Sequence, residues 1–300
     1  MQQDVWQNIK NLYKRYGMIS KLITINLCVF IFFGLLGMIQ FLFKVEGLVD
    51  NVGYFFAGPA NPEDLLYRPW TLVTQLFTHV DFLHLLFNMI MLFFTAQIFV
   101  QFFGEKRLLT TYILGGICGY LLHIGFYYGI PAFQEEVSGA VIGASGAIYA
   151  IFAAIAYHRP SLSVYLFGMI RMPIVVLAVV FVLGDVFAVG KQDHIAHLAH
   201  IGGALFGVIS VINVNSPTNF MNRFEKWLSR FKLKGLFKRK PKMKIYSQEE
   251  VQQMDDDQYR EEKKVAQERI DDILEKISKK GYESLTKEEK EILFNESKRK

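Results

Sequence analysis

The chain has 300 residues, of which 52% are hydrophobic, with a mean hydropathy of +0.23 and a formal net charge of +5. That is more apolar than an ordinary soluble domain of this length. The charge is also segregated: 22 of the 33 Lys and Arg and 17 of the 28 Asp and Glu lie from residue 218 onward. An apolar body with a charged tail argues for a membrane protein. The basic pI of about 9.0 then needs no nucleic acid to explain it. The two cysteines, Cys28 and Cys118, both lie in apolar runs, which excludes a disulfide framework and a Cys-rich metal site.

Residues 1–18 are polar and read as a cytoplasmic segment. A spanning helix needs roughly 20 apolar residues, within about 17–25. Six stretches meet or approach that length: Ile19–Phe43, Phe82–Phe103, Leu108–Ile130, Gly139–Tyr157, Pro173–Ala188 and His194–Val214. The first is as long as a full span and no small-x-small site follows it, so it does not read as a cleaved signal. The predicted fold is therefore all-α, a polytopic six-helix bundle over residues 19–216.

Loop charges set the orientation. Lys10, Lys14, Arg15 and Lys21 flank the start of the first span, Lys106 and Arg107 separate the second and third, and Arg159 and Arg171 separate the fourth and fifth. The alternate loops carry mostly acids, among them Glu46, Asp50, Glu63, Asp64, Glu135, Glu136 and Asp193. Both termini are expected in the cytoplasm. Between the first two spans lies "GLVDNVGYFFAGPANPEDLLYRPW", whose aromatic residues suit either an element partly in the outer leaflet or a loop folded over the bundle.

With this orientation, the second, fourth and sixth spans enter from outside. His84 and Asn88 share a helix face near the outer end of the second. Ser145 lies a turn or two below the outer surface in the fourth. His200 lies seven residues below Asp193, about 10 Å at 1.5 Å per residue. Four polar side chains from three spans thus fall at one depth. Polar residues inside a membrane are functional candidates by default, although any one of them can instead be glue between helices.

The chemistry open to this set is limited. A serine hydroxyl needs a base, and histidine suits that task near neutral pH. His84, Asn88 and the amide at Ser145 are candidate donors to a developing oxyanion. No Asp or Glu lies at that depth in these three spans. Asp185, at the outer end of the fifth, reads as a partner of a loop or of the interface, so a Ser–His dyad is expected. Gly203 and Gly207 share a face with His200, while Gly146 and Ala150 are four apart beyond Ser145. If these faces pack closely, His200 is carried against Ser145. Tyr149, one turn below Ser145, is placed to pack on the imidazole.

At these residues the sequence resembles the rhomboid family of intramembrane serine proteases. The matching pieces are "HLLFN" with His84 and Asn88, "GASG" followed by "AIYA" with Gly143, Ser145, Gly146 and Tyr149, and "AHIGGALFG" with His200, Gly203 and Gly207. "RPWTLVTQLFTH", with Trp70 and His79, also looks like family sequence, and the similarity covers roughly residues 15–215. The resemblance implies Ser145 as nucleophile and His200 as general base and acid. It implies His84, Asn88 and the Ser145 amide around the oxyanion, and Tyr149 stacked on His200. Membrane proteins cut near the outer ends of their spans would be the substrates, and no cofactor or metal is implied. A bacterial inner-membrane location follows from the same resemblance.

Three rival readings stand beside this one. A rhomboid-like pseudoprotease would bind membrane clients without cutting them, although such proteins lose the serine or the histidine. Zinc chemistry is suggested by His194, His197 and His200 at three-residue spacing, but there is no His-Glu-x-x-His motif. A transporter would also gather polar groups, but no broken-helix repeat is evident.

The segment 217–245 is a basic juxtamembrane stretch. Residues 222–244 carry ten basic residues and one acid with aromatic and aliphatic residues interleaved, which suits anionic lipid at the membrane surface. From 246 to 300 the chain reads as a soluble helical tail. Ser247 with Glu250 and Thr286 with Glu289 resemble capping boxes, and Ile270, Ile273, Leu274 and Ile277 belong to an apolar stripe. The sequence names no partner for this tail.

Overall fold

The computed structural model describes residues 2–131, 140–166, 169–191 and 195–230, together with scattered residues between 270 and 293. The chain forms two compact units, Met1–Phe231 and Lys232–Lys300. Glu135, Glu136, Asp193, His194, the Ser247–Glu250 box and most of the basic juxtamembrane stretch lie outside the described residues.

The first unit is helical, with one small exception. Helix α1 (Gln2–Arg15) precedes α2 (Gly17–Phe43), an apolar helix of 27 residues. Lys44 ends α2 in the left-handed region, with φ 51°, and returns its N–H to the Gln40 carbonyl. The Gln40 side chain then accepts from the Val49 amide, which ties the helix to the next element. Three short helices follow: α3 (Leu48–Phe56), α4 (Pro62–Tyr67) and α5 (Thr71–Thr74). Helix α4 starts as its sequence dictates, with Asn61 accepting from the Glu63 amide and Pro62 at the first position.

These short helices fold against the bundle. Gly58 pairs with Val141, and the Tyr120 hydroxyl donates to the Pro59 carbonyl at 2.7 Å. The Trp70 indole donates to the Phe55 carbonyl, while Leu66 and Tyr67 face outward.

Helix α6 (Phe82–Gly129) runs for 48 residues but breaks at Gly104, whose φ of 78° and ψ of 167° are not helical. The chain reverses there. Gly116 and Tyr120 in the second limb lie against Leu76 and Pro59, just upstream of where the first limb begins. At the opposite end Glu105 accepts from the Met18 amide, so the reversal sits beside the start of α2.

Helix α7 (Ser145–His158) is the centre of the bundle, and all but a few of its residues are buried. Its small side chains let three elements close on it. It is followed by an antiparallel hairpin, β1 (Ser163–Leu166) and β2 (Ile170–Pro173), in which Ser163 pairs with Pro173. This hairpin amends the all-α expectation: Val164 and Tyr165 favour a strand, and the loop is long enough to fold back. Helices α8 (Ile174–Ala188), α9 (His197–Val211) and α10 (Phe220–Arg230) complete the unit.

Among the described residues two helices, Gly17–Phe43 and Phe82–Gly129, are long and apolar enough to cross a membrane. Helices α7, α8 and α9 are apolar but have 14, 15 and 15 residues, shorter than a standard span. The fourth and sixth stretches were expected from Gly139 and His194, but their helices begin only at Ser145 and His197. Gly143, with φ 115°, keeps the approach to Ser145 out of helical geometry.

Candidate active site

Ser145 is the first residue of α7, so the amides of that helix's first turn have no intrahelical partners. His200 lies one turn into α9. Two glycines on α9 set its distance from α7. A Cβ on Gly203 would sit 2.0 Å from the Gly146 carbonyl oxygen, and one on Gly207 would sit 2.1 Å from that of Ala150. No other residue type permits this approach without moving backbone. From the other side, a Cβ on Gly119 would meet the Ala199 carbonyl oxygen at 2.3 Å.

This contact brings the Ser145 hydroxyl to 2.8 Å from His200 Nε2. The Tyr149 ring stacks on the imidazole, with centroids 4.4 Å apart and planes 9° from parallel. On the far side of the ring, His200 Nδ1 lies 2.8 Å from Asp185 Oδ1. An ionised carboxylate only accepts, so His200 carries its proton on Nδ1 and turns the Nε2 lone pair toward the serine. The expectation for Asp185 is therefore corrected. It is 5% exposed, and it serves His200 rather than a loop or the interface.

The same oxygen receives a second histidine, with His197 Nδ1 at 2.7 Å. Asp185 Oδ2 makes no hydrogen bond of normal geometry, although the Tyr149 hydroxyl interacts with the same carboxylate.

His84 and Asn88 line the same cavity as Ser145, Tyr149 and His200; it encloses about 1130 Å³. The Asp81 carboxylate caps this helix by accepting from the His84 amide at 2.7 Å. The His84 ring packs over Gly143, where a Cβ would come within 2.8 Å of it. Asn88 Nδ2 reaches the His84 carbonyl at 3.0 Å and His79 Nε2 at 3.2 Å. His79 is fully buried and also accepts from the Ala144 amide at 3.3 Å. It thus fixes the backbone leading into Ser145.

Asp185, His79 and His197 support the site from behind its lining residues; the sequence offered Asp185 to a loop or the interface, His79 only through the resemblance and His197 only as a zinc ligand. Asp185 was visible as the only nearby acid, but an apolar helix without a polar stripe does not say which way it faces.

A buried cluster of serine, histidine and aspartate thus sits inside an apolar helical bundle. The rhomboid domain profile matches residues 67–216, and the chain belongs to the rhomboid family. The family is membrane-embedded, and its proteases are serine hydrolases acting on membrane proteins within the bilayer. Residues 255–299 match a second profile, a family of unknown function designated DUF6576.

Among relatives, the RHOMBOID-like protein 12 of Arabidopsis thaliana mitochondria is 31% identical over 153 residues, 48% of this chain and 46% of its own length. The rhomboid protease GlpG of Haemophilus influenzae is 28% identical over 207 residues, 67% of this chain and 93% of its own. The putative rhomboid protease YdcA of Bacillus subtilis is 29% identical over 146 residues, 49% of this chain and 64% of its own. The chain thus spans about half the length of the first of these.

Proposed function

We propose that the chain is an intramembrane serine endopeptidase that cuts transmembrane segments of other proteins near the outer face of the bilayer. One observation carries this reading: the continuous arrangement from Ser145 Oγ through His200 to Asp185, both contacts at 2.8 Å, beside a cavity. Ser145 attacks the scissile carbonyl while His200 Nε2 takes its proton. Asp185 holds the tautomer and stabilises the imidazolium. His200 then returns the proton to the leaving amine, and water entering the cavity releases the acyl group. The Ser145 amide and His84 face the oxyanion. Asn88 joins them by exchanging its contact with His79 for one to the substrate.

The cavity is larger than most small-molecule sites, which run about 300–1,000 Å³, and suits a stretch of extended peptide. A helical peptide bond is already hydrogen-bonded, so the substrate must unwind to be cut. Gly, Pro and other helix-weakening residues near the scissile bond favour cleavage.

The proposal includes six crossings, both termini in the cytoplasm of a bacterial inner membrane, and a site opening outward. The rhomboid domain spans residues 19–216, followed by the lipid-facing basic stretch to 245 and the tail to 300. The first test is cleavage of a single-span test substrate by the purified full chain in proteoliposomes. The wild type should cleave and Ser145→Ala should not. Equal cleavage by both overturns the mechanism, and no cleavage by the wild type favours a pseudoprotease.

A further inference from the structure

The reading above needs one histidine on Asp185, and the structure supplies two. His197 and His200 stand three residues apart on α9, and both aim Nδ1 at Asp185 Oδ1, at 2.7 and 2.8 Å. One nitrogen from each ring and one carboxylate oxygen lie within 4.8 Å of one another, and all three residues are buried. Asp185 Oδ2 sits beside them without a well-formed hydrogen bond. Proton transfer to and from Ser145 gives His197 no task.

Two imidazole nitrogens and a carboxylate form a donor set suited to Zn²⁺, with Asp185 Oδ2 beside them as a further oxygen. Around a tetrahedral zinc, bonds of about 2.0–2.1 Å place ligand atoms roughly 3.4 Å apart. The two hydrogen-bonded separations, 2.7 and 2.8 Å, therefore need to open by about 0.6–0.7 Å, and the two nitrogens, within 4.8 Å of each other, to settle at the same spacing. Magnesium and calcium, which prefer oxygen ligands, do not suit the set.

We infer that Asp185, His197 and His200 form an inhibitory binding site for Zn²⁺ or a similar nitrogen-seeking divalent cation. Its effect on His200 rests on the protease reading. A metal on Nδ1 uses that lone pair, so the neutral ring carries its proton on Nε2 instead. The N–H then faces Ser145 Oγ and cannot accept a proton. The bound cation silences the base while leaving Ser145 and the substrate cavity in place.

The test has a binding arm and an activity arm, both on the full chain in proteoliposomes. In the first, Ser145→Ala is dialysed against buffered free Zn²⁺ and its metal content is measured. It should hold one Zn²⁺ more per chain than the double variant that also carries His197→Gln. Glutamine can still donate to Asp185 but is a poor zinc ligand; His197→Asn, measured in parallel, guards against one poorly folded variant. Equal metal content in all variants overturns the site.

In the second arm, Zn²⁺ should inhibit wild-type cleavage, a chelator should reverse this, and Mg²⁺ should have no effect. Each His197 variant, compared with its own metal-free rate, should need at least tenfold more Zn²⁺ for half-inhibition. Unchanged sensitivity in these variants, or bound zinc without inhibition, overturns the inference. If the wild type never cleaves while the extra Zn²⁺ binds, the protease reading fails and the metal site stands. Cleavage without the extra Zn²⁺ is the opposite result.

Discussion

A carboxylate on one nitrogen of an imidazole decides which lone pair the other nitrogen presents. That is the part Asp185 plays at His200, at 2.8 Å and with both side chains buried. Asp185→Asn preserves the shape but lets an amide donate to Nδ1, which favours the wrong tautomer. Cleavage should fall by about 10²-fold or more in kcat, with a small change in KM and in thermal stability. A loss in KM or Tm alone would make Asp185 a structural residue. In the tail, Thr286 and Glu289 form the reciprocal cap that their spacing suggests: the Thr286 amide donates to Glu289 at 2.8 Å, and the Glu289 amide to Thr286 Oγ1 at 3.3 Å. The Lys276 ammonium at 2.7 Å holds the Glu289 carboxyl at about 2, below its usual 4.5. A depressed carboxyl stabilises the fold above its unfolded value, so this contribution is whole at neutral pH and is lost as pH falls from about 4.5 to 2. NMR titration of the labelled Glu289 carboxyl should show a midpoint near 2, and a midpoint near 4.5 would remove the Lys276 contact.

Helices meet at this site because their facing residues are small. Gly203 on α9 abuts the Gly146 carbonyl and Gly207 abuts that of Ala150, which is what brings a histidine on one helix to a serine on the next. Gly203→Ala should separate α9 from α7, cost about 1–3 kcal/mol as overpacking and abolish cleavage. Gly34→Ala in α2 is the control, since a Cβ there meets nothing within 4 Å. Its Tm should hold or rise slightly, by the helix preference for Ala over Gly. Equal losses of Tm in both variants would show that the seam has no special tightness. The glycine spacing was legible in the sequence, and so was the shared depth of His84, Asn88, Ser145 and His200. Where the helices begin was not. Apolar residues continue upstream of both starts, 140–144 before α7 and 195–196 before α9, and before α7 the left-handed Gly143 stops the regular ladder.

Across the whole first unit, the two ends of the bundle differ in chemistry. One end holds Ser145, His79, His84, His197 and His200 and the α3–α5 cover. The other holds the Gly104 reversal and a buried Arg107, which pairs with Glu225 at 3.1 Å and also donates to Asn222 and the Ser210 carbonyl. Arg107 was expected only as a positive loop charge; here it also fastens α10. In the proposed orientation, which the loop charges support, this end faces the cytoplasm. A fluorescent protein fused after Lys300 should therefore fluoresce in a bacterial host, while alkaline phosphatase at the same position should be inactive. The reverse pattern would invert the proposed orientation.

The sequence by itself determined the membrane character, the order of the apolar stretches and the four polar residues that meet at one cavity, and its loop charges support the proposed orientation. These follow from hydropathy and charge, which act locally along the chain. Tertiary structure alone decided that Asp185 turns inward to His200, that His197 joins it, and that His79 holds the backbone before Ser145. The first two depend on how α8 and α9 are turned toward each other, and the third on a loop residue reaching the Ala144 amide. All three are contacts between segments apart in sequence, which no local pattern encodes.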